Sequence, residues 1–253
     1  MTNFYATIAR YYDAEHHDKT EDLTFYSEAA DTTGGPILII GSGTGRVMLH
    51  LAQEGHTVHG IEIEGAMLER ARRKREAMSH LADQLVLHQG DALKVELPTA
   101  FRLAIIPYNS LMHFHTPAKH LGLLRRARQW IEQGGRLIID LPNAGEAFAA
   151  PDTEALTLER TFLEPESGHL VMQQSVSRLD RATQLMQVTW IYDEIGADSS
   201  VKRTFAPVTI RYFFEAEIRL LLKAAGFEVE AIYGDFDESP FEDGCPRMIV
   251  VAK

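Results

Sequence analysis

The chain is short of everything that would build a cross-linked, membrane-spanning or nucleic-acid-binding protein. One cysteine, Cys245, stands among 253 residues, which excludes an intrachain disulfide and a cysteine-rich metal site and suits a reducing compartment. Its thiol reads as a small core group. No stretch approaches the roughly 18 apolar residues of a membrane helix, and the opening MTNFYATIARYYD has neither the basic flank nor the apolar run of a signal peptide. These absences predict a cytoplasmic protein without a membrane partner. Positive charge is scarce too: 25 Lys and Arg against 36 Asp and Glu give a formal net charge of −11, which opposes attraction to phosphate backbones and argues against nucleic acid. Repeats and low-complexity tracts are missing. His16-His17-Asp18 and His113-Phe114-His115 follow no metal-ligand spacing, so no metal is expected.

What is present is an alternation of buried strands and amphipathic helices. Ile37 to Ile40 run apolar without a polar break, bounded by Gly35-Pro36 and Gly41, as in a strand covered on both faces. A glycine turn and a helix follow. Further strands are expected at His56 to Ile61, Gln84 to His88, Leu103 to Ile106 and Arg136 to Asp140, with a helix from Gly65 to Ser79 between the second and third. Thr116-Pro117 caps another helix, whose apolar positions Leu121, Leu124, Ala127 and Ile131 lead to Gly134-Gly135 as its stop. Repeated βα units imply a parallel sheet with helices on both faces.

The texture changes after Asn143. From Leu156 to Tyr212 β-branched and aromatic residues dominate, broken at residues 165–168, 180–183 and 196–198, which predicts successive antiparallel strands. Phe162, Trp190, Tyr192 and Phe205 are expected to share its core face. A helix at Glu215 to Ala225, closed by Gly226, and strands at Phe227 to Tyr233 and Arg247 to Ala252 complete the chain. Arg211, Arg247 and the acids of GDFDESP are expected to form an ion-pair network joining these last strands to the insertion, with orientation of a charged substrate as the alternative.

The turn reads Gly41-Ser42-Gly43-Thr44-Gly45-Arg46. A dinucleotide fingerprint places its last glycine where Arg46 stands, so the turn fits an NAD-dependent oxidoreductase poorly while still bringing backbone N–H groups close to a ligand. Glu62 ends the second strand about 20 residues further on, where a carboxylate can accept both ribose hydroxyls of an adenosine. Asp91, in QGDAL, follows the third strand and can accept from an adenine amino group. All three segments reach the carboxyl edge of one sheet, where ligands of such folds bind.

IGSGTG, the acidic GIEIEGAMLERAR, GDAL and IPYNSLMHF occur in the order that resembles the class I S-adenosylmethionine-dependent methyltransferases. Together with ARYYD, a β insertion and the C-terminal EIRLLLKAAGFEVEAIYGDFDESPFEDGCPRMIVVAK, they look like the small-molecule N-methyltransferases of the glycine-sarcosine and aminosugar type. The resemblance implies a Rossmann-like α/β fold with a seven-stranded, mainly parallel sheet. It implies an N-terminal helical lid (1–35), a cofactor-binding core (36–143), a β-rich insertion over the substrate or at a dimer interface (144–212), and a C-terminal helix with the last two strands (213–253). S-adenosylmethionine would be the methyl donor and S-adenosylhomocysteine its product. Gly41, Ser42, Gly43 and Gly45 would pass under the methionine and ribose, Glu62 would hold the ribose, Ile63 and Met67 would line the adenine, and Asp91 and Ala92 would meet its amino edge. Pro107 and Tyr108 would border the methionine, and Tyr12 would close over the sulfonium. Arg46, just past the last glycine, would lie where substrate is felt.

Methyl transfer from a sulfonium needs collinear nucleophile, carbon and sulfur, and no metal. His113 is the candidate base or acceptor, four residues after Asn109 on a short helix, so that the two would face the crevice together. The expected reaction is methylation of an amine nitrogen in a small molecule, with oxygen or carbon as alternatives. A non-catalytic cofactor-binding subunit is a further alternative, and a homodimer is the expected assembly if there is one.

Overall fold

The computed structural model describes residues 4–97, 100–150 and 155–253; the first three residues of the expected lid and residues 151–154 of the insertion lie outside them. A seven-stranded sheet carries β1 (Ile37–Ile40), β2 (Val58–Glu62), β3 (Leu85–Gln89), β4 (Phe101–Ile106), β5 (Ile131–Pro142), β10 (Val229–Tyr233) and β11 (Arg247–Ala252) in the order β10-β11-β5-β4-β1-β2-β3. β1 to β5 pair in parallel, whereas β11 runs antiparallel between β5 and β10. The strand order reverses beside β1 and β4, so their carboxyl ends open the crevice where ligands of such sheets bind.

Two cores flank the sheet. α3 (Arg46–Gln53) and α2 (Leu23–Thr33) cover one face with Val47, Leu51, Phe25 and Tyr26 against Ile37, Ile39 and Ile105. α5 (Pro117–Trp130) and α7 (Glu215–Ala225) cover the other with Leu123, Leu124, Ile218 and Leu222 against Leu38, Ile106 and Ile139. Successive strand residues thus feed opposite cores, which is why β1 to β5 read as nearly unbroken apolar runs. α4 (Gly65–Ala77) packs over β2 and β3.

The end of α5 differs from the expected one. The helix stops at Trp130, and Ile131 already pairs with Phe101 as the first residue of β5. Gly134 sits at φ +82°, and a Cβ on Gly135 would stand 2.7 Å from the Arg102 carbonyl oxygen. The glycine pair therefore forms an irregularity inside a strand, where close backbone approach needs it, instead of ending a helix.

The insertion is a four-stranded antiparallel sheet of β6 (Thr157–Leu163), β7 (Leu170–Asp180), β8 (Leu185–Ile195) and β9 (Val201–Arg211), preceded by the short helix α6 (Ala144–Ala149). Phe162, Val171, Tyr192 and Ala206 form its buried face, with Trp190 beside them. Phe205 alternates to the opposite face and is 58% exposed, which corrects its expected place in that core.

α1 (Phe4–Glu15) lies between this sheet and the core. Ile8 and Tyr11 pack on the insertion, and Tyr11 stacks on Tyr192 at 4.8 Å. The Tyr11 hydroxyl donates to Glu194, and Glu15 accepts from Tyr192 and Gln173. On another side Asp13 accepts from Thr44 and Lys74, both at 2.6 Å. Tyr5, Tyr12 and His16, at helical spacing, form the remaining stripe.

Arg211 and Arg247 do not share a network with the GDFDESP acids. Arg211 pairs with Glu217 at 2.6 Å and joins the end of β9 to α7. Arg247 holds the buried carboxylate of Asp140 in the neighbouring strand.

Candidate active site

A cavity of about 640 Å³ opens at the carboxyl ends of β1, β2 and β4 and is roofed by α1 and β9. Its floor is the glycine turn. Gly41 and Gly43 have φ of +79° and +57°, and a Cβ on Gly41 would fall 2.7 Å from Ser110 Oγ. Side chains at these places would both strain the backbone and fill the cradle. Gly45 serves a different purpose. At φ +86° it caps α3, and a Cβ there would approach Ala71 of α4 to 3.3 Å. It stands outside the cavity wall and lets two helices pack closely.

Glu62 is 7% exposed at the end of β2. Its two carboxylate oxygens accept from the Gly43 and Glu64 N–H groups, each at 2.8 Å. Burial raises its pKa, against the opposing pull of those N–H donors. An ionised carboxylate offers about four acceptor positions, so a pair of ribose hydroxyls would complete a shell that the backbone half fills. Asp91 turns Oδ1 to the Leu93 N–H at 2.9 Å and leaves Oδ2 3.7 Å from Lys94. Ile63, 55% exposed, and the buried Met67 flank this end. An adenosine fits these groups: two carboxylates for its hydroxyl and amino donors, apolar walls for its base.

At the other end β4 runs into Pro107 and a left-handed kink, Tyr108 at φ +40° and Asn109 at φ +66°. Asp140 of β5 supports the kink: fully buried, it accepts from the Tyr108 N–H at 2.9 Å, while its carbonyl oxygen accepts from the Asn109 N–H at 3.0 Å. Asn109 itself accepts from Arg247 at 2.9 Å and is not part of the cavity wall, so the structure does not bring it together with His113. A left-handed residue breaks the helical spacing that would have aligned the two.

His113, on the 3₁₀ turn Ser110–His113, does face the cavity. Its Nε2 lies 2.7 Å from the Tyr5 hydroxyl, and the two rings meet edge to face. Burial, with His115 nearby, lowers its pKa to about 4. Burial raises that of Tyr5 well above its ordinary value. At neutral pH the pair is therefore an uncharged imidazole and an intact phenol. Tyr12, also in the wall, stacks on His16 at 4.3 Å. His115 anchors the roof through the Thr209 carbonyl of β9 at 2.7 Å.

The cavity also contains Tyr5, His16 and Lys19, none of which the motifs assign to it. Tyr5 precedes Tyr12 by about two helical turns, and that spacing is the one sequence signal that could have found it. Arg46 lines the cavity as well, but its charge does not face a substrate. Both its terminal nitrogens bind the buried Asp22 at 2.6 and 2.5 Å, tethering the segment between α1 and α2 to the start of α3. Within the described residues no group of three or more metal-ligating side chains occurs, and no helix is long and apolar enough to cross a membrane.

Sheet order, glycine cradle and the two acids past β2 and β3 define a class I, S-adenosylmethionine-binding methyltransferase fold. Residues 37–135 match the methyltransferase domain family. The chain is 25% identical over 243 residues, covering 92% of it and 89% of its relative, to a dTDP-3-amino-3,6-dideoxy-α-D-glucopyranose N,N-dimethyltransferase of Streptomyces fradiae. It is 25% identical over 232 residues, 91% of it and 90% of the relative, to the corresponding 3,4,6-trideoxy enzyme of Streptomyces venezuelae. The solved structure of the CcbJ methyltransferase from Streptomyces caelestis shares the fold, with a TM-score of 0.80 at 21% identity over 100% of this chain and 98% of that one. The chain thus carries a methyltransferase domain, and S-adenosylmethionine is its methyl donor.

Proposed function

We propose that the enzyme methylates the amine nitrogen of a small acceptor, an amino sugar carried on a nucleotide, by in-line displacement at the methyl carbon. The observation that carries this reading is the uncharged Tyr5–His113 pair in the cavity wall. An amine attacks through a neutral lone pair, and a desolvated site favours the neutral amine. In the His113 tautomer protonated at Nδ1, Nε2 accepts the Tyr5 O–H and the Tyr5 oxygen keeps lone pairs for an amine N–H, which turns the nitrogen lone pair toward the methyl group. S-adenosylmethionine supplies an electrophilic methyl group on sulfur. Glu62 and Asp91 hold the adenosine, the glycine turn and Tyr108 border the methionine, and Tyr12 excludes water from above. Alignment within about 3 to 3.5 Å is the main contribution such a site makes.

Charge supports an acceptor bearing phosphate. In a chain of net charge −11, the cavity is lined by Lys19, Lys94 and Lys119 against Glu62 and Asp91. The named amino-sugar relatives act on dTDP-linked compounds. The test is incubation with S-adenosylmethionine and dTDP-3-amino-3,6-dideoxyglucose, read by mass spectrometry. Mass gains of one or two methyl groups, lost in Tyr5→Phe more than cofactor binding is, support the reading; modification of hydroxyl acceptors alone would overturn it. A homodimer through the insertion is consistent with Leu163, Leu170 and Val201, all exposed in one cross-strand row, and sedimentation velocity tests it.

A further inference from the structure

His113 is carried by a turn with little structure of its own. The 3₁₀ segment Ser110–His113 follows the left-handed kink at Tyr108 and Asn109 and gives way at Phe114 to extended backbone (φ −97°, ψ 117°). Such a short turn holds its last side chain through few bonds, here from the Met112 and Phe114 N–H groups to the Asn109 and Leu111 carbonyl oxygens at 2.9 and 3.1 Å. Asp140 fixes the entrance of the turn through the Tyr108 N–H. The direction of His113 therefore depends on what fixes the exit.

His115 ties this exit to β9 from within the cavity wall. His120 holds it from outside. It lies in the first turns of α5, fully buried and not part of the cavity wall, and its Nε2 bonds to the carbonyl oxygen of Phe114, the residue after His113. Burial lowers its pKa, so at neutral pH the ring is uncharged and carries one N–H. A carbonyl oxygen only accepts, which assigns that proton to Nε2. Nδ1 has no partner among the described residues, so the Phe114 contact is the ring's one hydrogen bond there. Phe213 meets the ring edge to face at 4.9 Å, and Arg211, bonded to Glu217 and Gln184, covers Phe213 at 4.9 Å. The imidazole is thus held against turning away.

Packing alone does not call for a histidine here. Leu123 and Leu124, on the same helix, fill the adjoining core without polar atoms. A buried imidazole is unfavourable unless hydrogen-bonded, and what it adds over a leucine is the N–H aimed at Phe114.

We propose that His120 is a positioning residue for methyl transfer: by holding the Phe114 carbonyl it sets the direction of the His113 side chain, and through it the Tyr5 hydroxyl that meets the acceptor amine. This rests on the reading of the Tyr5–His113 pair as the acceptor contact. His120 touches neither the cavity nor the groups that hold the methyl donor, so its effect falls on turnover and not on donor binding. A shift of about 1 Å in an aligned site is enough to slow transfer by one or two orders of magnitude.

The test compares wild type, His120→Leu and His120→Gln, each with and without Tyr5→Phe. Turnover of dTDP-3-amino-3,6-dideoxyglucose is measured at saturating donor, and S-adenosylhomocysteine affinity by calorimetry. His120→Leu should lower kcat by about tenfold or more and change that affinity by less than about twofold, which also shows that the variant is folded. His120→Gln places an amide N–H where Nε2–H stands and should recover kcat to within about threefold of wild type. In the Tyr5→Phe background His120→Leu should cost less than about a further twofold, because the group it orients is gone. The free enzyme gives a readout that needs no acceptor. By imidazole NMR, His120→Leu should raise the His113 midpoint from about 4 toward 6.5 by about one pH unit or more, as the ring leaves its buried place, and His120→Gln should not. An unmoved midpoint, equal losses of kcat in both backgrounds, or a joint loss of kcat and S-adenosylhomocysteine affinity would make His120 a prop of the core and overturn the proposal. A Tyr5→Phe enzyme as fast as wild type would remove the acceptor reading itself, and the proposal with it.

Discussion

Acid should destabilise the native enzyme more steeply than a His113→Asn variant. His113 has its pKa lowered from 6.5 to about 4 because burial disfavours the imidazolium. The unfolded chain takes up a proton as pH falls below 6.5, while the native chain does not until about 4. Stability from the neutral ring is therefore complete above the unfolded value and is lost as pH falls between the two. At about 1.36 kcal/mol per pH unit, the loss reaches at most about 2 kcal/mol near pH 5 and about 3 kcal/mol near pH 4. At neutral pH the variant gives up the Tyr5 hydrogen bond, a cost of about 1 kcal/mol. His16, His59, His88 and His120 are lowered in the same direction by burial, but they are common to both proteins and cancel in the comparison. Urea unfolding at about pH 7.5 and about pH 5 measures the difference, and wild type should lose its advantage by about 2 kcal/mol between them. A gap that stays constant with pH would show that His113 titrates normally, and the neutral Tyr5–His113 pair would have to be abandoned.

Glu62→Gln should weaken S-adenosylmethionine binding by about tenfold or more, and Asp91→Ala by less, since a backbone turn already occupies one Asp91 oxygen; unchanged affinity in both, measured by calorimetry, would remove the ribose and adenine contacts. Asp22→Asn leaves the Arg46 guanidinium without its buried partner. Chemical denaturation should show a loss of about 2 to 4 kcal/mol, and a loss below about 0.5 kcal/mol would mean that solvent screens the pair. Gly60→Ala places a methyl group into Met48 Sδ and within 2.8 Å of Ser42 Cβ, under the glycine turn. A cost of about 1 to 3 kcal/mol is expected in thermal unfolding, and an unchanged melting temperature would refute the tight packing of β2 on α3.

Where the sequence was legible, local chemistry and burial agree. Ile37 to Ile40 can only be a strand when both faces are covered, and the turn after it needs glycine at Gly41 and Gly43 because side chains there would strain the backbone or fill the cradle. Spacing then carries Glu62 and Asp91 to the same sheet edge. Where it was less legible, one residue type has two uses. Gly134-Gly135 reads as a helix stop until the pairing of Ile131 with Phe101 is known. Gly45 belongs to the same motif as Gly43, yet it faces Ala71 instead of the cavity. Phe205 has the composition of a core residue, and only the register with Ile191 puts it on the outer face.

The parallel sheet, the cradle and the two acids were encoded locally, because strand burial, positive φ and spacing act within one chain segment. Which groups surround the reaction depended on distant elements meeting. Tyr5 meets His113 across 108 positions of sequence. Asp140, from β5, shapes the kink that carries Tyr108, and Asp22 removes Arg46 from the ligand's reach. α1 is held between the insertion and the core by Glu15, Tyr11 and Asp13, each bonded to a different distant element. No periodicity encodes such contacts: a side chain's spacing fixes its face on a helix or strand, and only the packing of whole elements fixes what that face meets.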